Sequence, residues 1–205
     1  MLLHFIFLVA IAAEAMTAAL AAGRRKMDWF GVCFLASVTA LGGGTMRDIL
    51  LGHYPLAWVA DPYLLLVVCG AALLTIAFAR LMPYLRWPFL LLDALGLVVF
   101  AIIGCDVAIG MGQHPLIVIV AGMVTGVVGG VLRDVLCNDV PLLFSGELYA
   151  TVAIVTGAVY YFGLQWGVPH DLVVIAALGI GFPLRVLAIL FKWEMPKFIY
   201  DKELR

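Results

Sequence analysis

Seven apolar stretches, each about as long as a bilayer is thick, run through this chain with only short polar turns between them. A helix needs ~20 apolar residues to cross the hydrocarbon core. Stretches near 2–22, 30–51, 63–82, 88–109, 115–137, 147–164 and 171–191 come close to that length. They are apolar all round, whereas strands of an outer-membrane barrel alternate polar and apolar residues, so helices are expected. The turns carry Gly, Pro and charge, as in Gly23-Arg24-Arg25-Lys26, His53-Tyr54-Pro55, Pro83-Tyr84-Leu85-Arg86, Gly112-Gln113-His114-Pro115, Asn138-Asp139-Val140-Pro141 and Gly167-Val168-Pro169-His170. None is long enough to hold a separate domain. Composition agrees: 65% of the 205 residues are hydrophobic and 12% charged. Twelve basic and 13 acidic side chains cannot coat a globule with polar surface, which excludes a soluble enzyme, a DNA-binding domain and a disordered chain. A net charge of −1 offers nothing to nucleic acid. Cys33, Cys69, Cys105 and Cys137 lie in apolar segments without metal-ligand spacing and read as small buried residues.

Lysine and arginine in the connections fall on one side only. Arg24, Arg25 and Lys26 follow span one, Arg80 and Arg86 flank the turn after span three, and Lys192, Lys197, Lys202 and Arg205 follow span seven. The turns after spans two, four and six have none. The positive-inside rule then predicts an N-terminus outside and a cytoplasmic C-terminus. Ala19-Leu20-Ala21 resembles a signal-peptide cleavage site, but no Lys or Arg precedes it and the basic cluster follows the apolar run, so span one is expected to stay.

An offset of 86 residues lays Gly43-Gly44-Thr45-Met46-Arg47-Asp48-Ile49-Leu50 over Gly129-Gly130-Val131-Leu132-Arg133-Asp134-Val135-Leu136. The same offset matches Thr39 with Thr125, Pro55 with Pro141, Asp61 with Glu147 and Ala15 with Ala101. Three spans per copy is an odd number, so the copies are expected in opposite orientations, the inverted-repeat plan of transporters and some channels. The expected fold is an all-α polytopic membrane protein of seven transmembrane helices: a first three-helix repeat over 1–84, a second, inverted one over 85–169, and a seventh helix with a cytoplasmic tail over 170–205.

The motifs allow two readings each. Gly42, Gly43 and Gly44 cost nearly 1 kcal/mol apiece against alanine inside a helix. One reading is a break whose freed carbonyls line a polar path, shared by Gly129 and Gly130; the other is close helix packing, which Gly122, Gly126 and Gly130 at four-residue spacing would serve. Thr39 and Thr125 offer hydroxyls to an ion or, more commonly, to their own helix backbone. Arg47-Asp48 and Arg133-Asp134 carry charge into the bilayer, where it faces a bundle interior or water unless it snorkels. Neighbours on a helix point about 100° apart, so each arginine and aspartate is expected to pair with another span. Glu14, near the middle of span one, reads as a counter-ion to Arg47 or Arg133, as a cation site, or as a protonated carboxyl between helices; its partner in the repeat is Phe100. Asp93 reads as a helix N-cap or a pore residue. Asp106 and Arg185 read as boundary groups, and Trp29, Trp58, Trp87, Trp166 and Trp193 as an interfacial belt. No nucleophile–base pair, phosphate loop or metal cluster appears, so no enzyme and no cofactor is expected.

Two three-span repeats carrying Gly-Gly-Gly-Thr-Met-Arg-Asp and Gly-Gly-Val-Leu-Arg-Asp, followed by a seventh span, resemble the bacterial branch of the trimeric intracellular cation channel family. The same paired domain also goes by the name glycine transporter. The resemblance runs from span one to about Lys192. It implies a homotrimer in the bacterial inner membrane with an hourglass-shaped, potassium-conducting path inside each protomer. Spans two and five, kinked at their glycines, would surround that path with spans one and four. The positions that carry over are Gly42, Gly43, Gly44, Arg47, Gly129, Gly130 and Arg133. Glu14 departs from the pattern, since an aromatic residue often stands there.

Three functions follow as expectations. The first is a passive channel for monovalent cations, potassium foremost and sodium second. Carbonyls and hydroxyls near the glycines would replace hydration, Glu14, Asp48, Asp93 and Asp134 would favour cations, and Arg47 and Arg133, bonded to carbonyls or acids, would form constrictions or a gate. The second is a secondary transporter of a small zwitterion such as glycine, with an arginine on the carboxylate and Glu14 or Asp93 on the ammonium. The third is a structural membrane subunit with no path. Membrane lipid and further copies of the chain are the other expected partners.

Overall fold

The computed structural model describes residues 2–78, 86–144 and 148–194. Arg80, Glu147, Lys197, Lys202, Arg205 and the side chain of Arg86 lie outside the described residues. The described chain is all-helical: α1 (Leu2–Arg24), α2 (Trp29–Leu51), a short α3 (Ala57–Ala60), α4 (Tyr63–Ala77), α5 (Arg86–Gly110), α6 (Pro115–Leu136), a 3₁₀ turn over Leu142–Phe144, α7 (Tyr149–Gln165) and α8 (His170–Phe191). Five of these, α1, α2, α5, α6 and α8, are long and apolar enough to cross a membrane. Helix α4 has 15 residues and α7 has 17, both shorter than the stretches read from the sequence.

Helix ends follow local chemistry. The Asp28 carboxylate accepts from Gly31 N at 2.7 Å and starts α2; Pro115 opens α6, where it loses no needed N–H. Helix α2 ends at Gly52, whose φ of 67° lets His53 N donate back to Asp48 O at 2.8 Å. Asn138, one repeat later, has a φ of 55° and the same closure from Asp139 N to Asp134 O at 2.8 Å. Lys26 and Gly112 form a second such pair of left-handed caps, again 86 apart. The internal match therefore reaches the helix ends. Nothing crowds the place of a Gly52 side chain, so Gly52→Ala pays only for left-handed backbone, about 1–2 kcal/mol by thermal unfolding, and Gly52→Asn less.

Two apolar clusters make the core. One joins α1, α2 and α4 and takes in Val99 and Phe100 of α5; the other joins α5, α6, α7 and α8. The packing is correspondingly paired. Helix α1 packs on α2 and α4 as α5 packs on α6 and α7, and the halves meet where α1 lies on α5 and α2 on α6. Arg25 after α1 bonds Asp139 after α6, while Tyr160 and His170 bond Asp106 near the end of α5. The turns after α1 and α6 thus share one end of the bundle, and those after α5 and α7 share the other.

Candidate functional site

The glycine motifs lie where α2 crosses α6. Both helices run unbroken through them, contrary to the break considered above. The glycines serve proximity instead. A Cβ on Gly43 would overlap the Thr125 carbonyl oxygen, and one on Gly129 would overlap that of Thr39. The 86-residue offset exchanges these two contacts, so each half supplies one glycine and one carbonyl. Such an approach is what small residues permit between membrane helices. The hydroxyls of Thr39 and Thr125 turn away, each donating to its own helix at 2.7 Å, to Leu35 O and Ala121 O. Gly42 faces Leu132; a Cβ on Gly44 would stand an ordinary 3.7 Å from Arg47 Nη2, and one on Gly130 would stand 3.7 Å from Arg133 Nη2 and a tight 3.0 Å from the Tyr149 hydroxyl.

One Arg-Asp pair lies on each side of this crossing, and both are buried. Each arginine bonds its own neighbour, which departs from the pairing expected from helix geometry; the expected pairing with another span is met by Arg133, through Asp93, and, among the described residues, not by Arg47. Arg47 donates through Nε (2.9 Å) and Nη2 (2.7 Å) to Asp48 Oδ1, and Arg133 Nε donates to Asp134 Oδ1 at 2.8 Å. The 100° rule describes Cβ directions; an arginine stem is long enough to swing its planar fork back over the adjacent carboxylate.

Beyond the shared pair the two sides differ. Arg133 also reaches other helices: Nη1 donates to Asp93 Oδ1 of α5 at 2.7 Å and to Thr17 Oγ1 of α1 at 3.2 Å, and lies 4.0 Å from Glu14 Oε2. Its guanidinium carbon stands 4.9 Å from the Phe89 ring centre. Asp134 Oδ2 accepts from Leu142 N at 3.0 Å, tying the turn after α6 to the cluster. Asp93 is not the helix cap considered above: it is 1% exposed and lies two turns inside α5. Around Arg47 the positions matching Asp93, Glu14 and Thr17 are Phe7, Phe100 and Ile103. All three line a cavity of about 200 Å³ that also touches Gly44, Arg47, His53, Trp58 and Thr125. One side of the crossing is therefore acidic and filled, the other aromatic and hollow. His53 Nδ1 lies 3.0 Å from Asp48 Oδ1 at the mouth of that hollow.

Two assignments from the sequence change. Arg185 is fully buried with its guanidinium carbon 4.7 Å from the Tyr149 ring centre, so it belongs to the interior rather than the boundary. Trp58 donates Nε1–H to Thr45 Oγ1 at 3.2 Å and lines the cavity instead of only marking an interface. Tyr149, whose hydroxyl lies 3.0 Å from where a Gly130 Cβ would stand, joins the site without a signal in the sequence, because a tyrosine at a helix start carries no motif. Among the described residues no group of three or more His, Cys, Asp or Glu side chains is placed to hold a metal ion. Paired charges around a crossing of two helices can admit, hold or exclude small ions.

The chain is similar to known membrane proteins. The family model described as glycine transporter matches residues 4–80 and 90–165, one match in each half. The UPF0126 inner membrane protein YadS of Escherichia coli is 38% identical over 207 residues, covering 98% of this chain and 99% of that one. A solved TRIC trimeric intracellular cation channel orthologue from Rhodobacter sphaeroides is 34% identical, covers 93% of this chain and 98% of its own, and has a TM-score of 0.89. Another structure, solved to explain conductance through TRIC cation channels, is 35% identical with a TM-score of 0.88, covering 97% of this chain and 98% of that one.

Proposed function

This chain belongs to the trimeric intracellular cation channel family, in its bacterial branch, which the glycine transporter model also describes, and from that premise we propose that it is a passive channel for monovalent cations, potassium foremost. The path runs within each protomer between α1, α2, α5 and α6. The observation that carries this reading is the arrangement around the α2–α6 crossing: one buried Arg-Asp pair on each side, and a cavity of about 200 Å³ against the Arg47 side. Buried ionisable groups are rare in membrane spans and mark ion pathways. Arg47 and Arg133 act as the constrictions, held by Asp48, Asp93 and Asp134, and the reciprocal contact of Gly43 and Gly129 with Thr125 and Thr39 closes the middle. Opening requires the two helices to part there.

The matched caps and exchanged contacts support two inverted repeats, 1–84 and 85–169, followed by a seventh transmembrane helix and a cytoplasmic tail within 170–205. With Arg24, Arg25 and Lys26 at the cytoplasmic end, the N-terminus is outside, and the Arg133 cluster faces the cytoplasm. A homotrimer in the inner membrane matches the solved TRIC orthologue and the E. coli relative.

The name of the matching family model favours a second reading, uptake of glycine with Arg47 or Arg133 on its carboxylate. Liposomes holding the purified protein separate the two when potassium, sodium and glycine are compared side by side. The channel reading expects cation flux that does not saturate and no glycine accumulation. Saturable glycine uptake without steady ionic current would replace it.

A further inference from the structure

The ring of Phe89 is shared by two arginines, one exposed and one buried. Phe89 lies near the start of α5, one turn before Asp93 and on the same face. Its ring centre is 4.9 Å from the guanidinium carbon of Arg133 and 5.1 Å from that of Arg24, the last residue of α1. Both distances are inside the roughly 6 Å over which a ring face attracts a cation. Exposure falls along this row: Arg24 is exposed, Phe89 is 8% exposed and Arg133 is fully buried. The row therefore runs inward from the end of the bundle to the charge cluster.

The two arginines depend on the ring unequally. Arg133 has Asp93 and Asp134 for its charge. Arg24 makes no ion pair among the described residues, and the acid of the facing turn, Asp139, is taken by Arg25. The Phe89 ring is the contact that draws the Arg24 guanidinium back over the end of the bundle. The opposite end lacks this device. At the 86-residue offset Phe89 matches Leu3 and Arg24 matches Gly110, so neither the ring nor the cation is repeated there. At that end the cavity of about 200 Å³ reaches the partly exposed His53. One end of the crossing is hollow toward its surface, and the other is capped.

We propose that Phe89 is a gate at the capped end, the cytoplasmic one in the orientation given above, and that Arg24 latches it shut. The proposal rests on the channel reading and adds a second closure to the one at the α2–α6 crossing. A hydrated cation moving from Asp93 toward Arg24 meets an apolar ring, and apolar constrictions close a path by excluding water. The two guanidiniums on that ring repel the same cation. When Arg24 swings into water, one positive charge leaves the exit and a ring face is freed. That face attracts a monovalent cation as it attracted the guanidinium. Two closures in series limit the gain from removing one, because passage then waits on the other.

Potassium flux through liposomes containing the purified full chain tests the gate. Phe89→Ala removes the ring and should raise flux several-fold. Phe89→Leu keeps an apolar side chain without a π face, and Arg24→Gln keeps a long side chain without its charge. Each should raise flux by about the same factor, and the double variant should do no more than either single one, because both break the same latch. Arg24 is exposed, so Arg24→Gln reads the latch even where a Phe89 variant fails to fold. A silent wild type beside a conducting Phe89→Ala would also support the gate. Thermal unfolding of the wild type, the two latch variants and their double measures the ring–guanidinium coupling without any flux, and additive losses there overturn the latch. A conducting wild type that folded Phe89→Leu and Arg24→Gln only match or fall below overturns the gate alone. Silence in every variant, with each protein folded and inserted, overturns the channel reading and the gate with it.

Discussion

Replacing Arg133 with alanine lowers the stability of the purified protein by about 3–5 kcal/mol, the cost of leaving buried partners of a removed charge uncompensated. Asp93 and Asp134 would keep their carboxylates at 1% and 8% exposure with no cation between them. Thr17 would lose a donor, and Phe89 the cation over its ring. Arg133→Lys recovers only part of the loss, because an ammonium cannot serve Asp134 through one nitrogen and Asp93 through another in the fixed spread of a guanidinium. Adding Asp93→Asn to Arg133→Ala should restore some stability, and this coupling is what separates a charge cluster from simple packing. Arg47→Ala is expected to cost less. Asp48 keeps His53, and the cavity beside Arg47 can take in water. Thermal unfolding in detergent, followed by circular dichroism, reads all five proteins.

The second large effect concerns the middle glycine of Gly42-Gly43-Gly44. A Cβ at Gly43 meets backbone, the Thr125 carbonyl, which cannot rotate aside, so α2 and α6 must separate. Because the Gly129–Thr39 contact shares that interface, it opens too. Overpacking of this kind costs ~1–3 kcal/mol for one methyl, and Gly43→Val or Gly129→Val should cost more. The neighbours provide the control. At Gly42 the added carbon meets the end of the Leu132 side chain at 2.8 Å, which can shift, and at Gly44 it meets Arg47 Nη2 at an ordinary 3.7 Å. Gly42→Ala and Gly44→Ala should therefore stay within about 1 kcal/mol of wild type by the same unfolding measurement. Equal damage at all three positions would point to a helix break, not to a crossing.

Much of this architecture is legible before any coordinates. Apolar runs of bilayer length and the spacing of Gly-Gly-x-x-Arg-Asp motifs report directly on helices and on a repeated half. The offset even carries over to the caps, where Gly52 and Asn138 adopt the same left-handed turn with different side chains. What stayed hidden depends on side-chain reach and on which helix faces which. Spacing along α6 says where the Cβ of Arg133 points, but not that its guanidinium folds back on Asp134 while a second nitrogen crosses to Asp93. Three glycines signal either a break or a contact, and only the carbonyls of Thr39 and Thr125 decide between them. Arg185 reads as peripheral in the sequence because it comes late in its span, yet α8 packs on α5 and α7 and its position there is interior. The acidic and aromatic sides of the crossing are in the sequence as Asp93 against Phe7 and Glu14 against Phe100. They gain meaning once both pairs are found beside an arginine.

Potassium current through a planar bilayer containing the purified protein tests the central claim most directly. The account predicts steady current in symmetric potassium that continues without any substrate, and that changes in size or open time in Arg47→Ala and Arg133→Ala. A wild-type protein that is folded and inserted yet electrically silent, with both arginine variants equally silent, would contradict it.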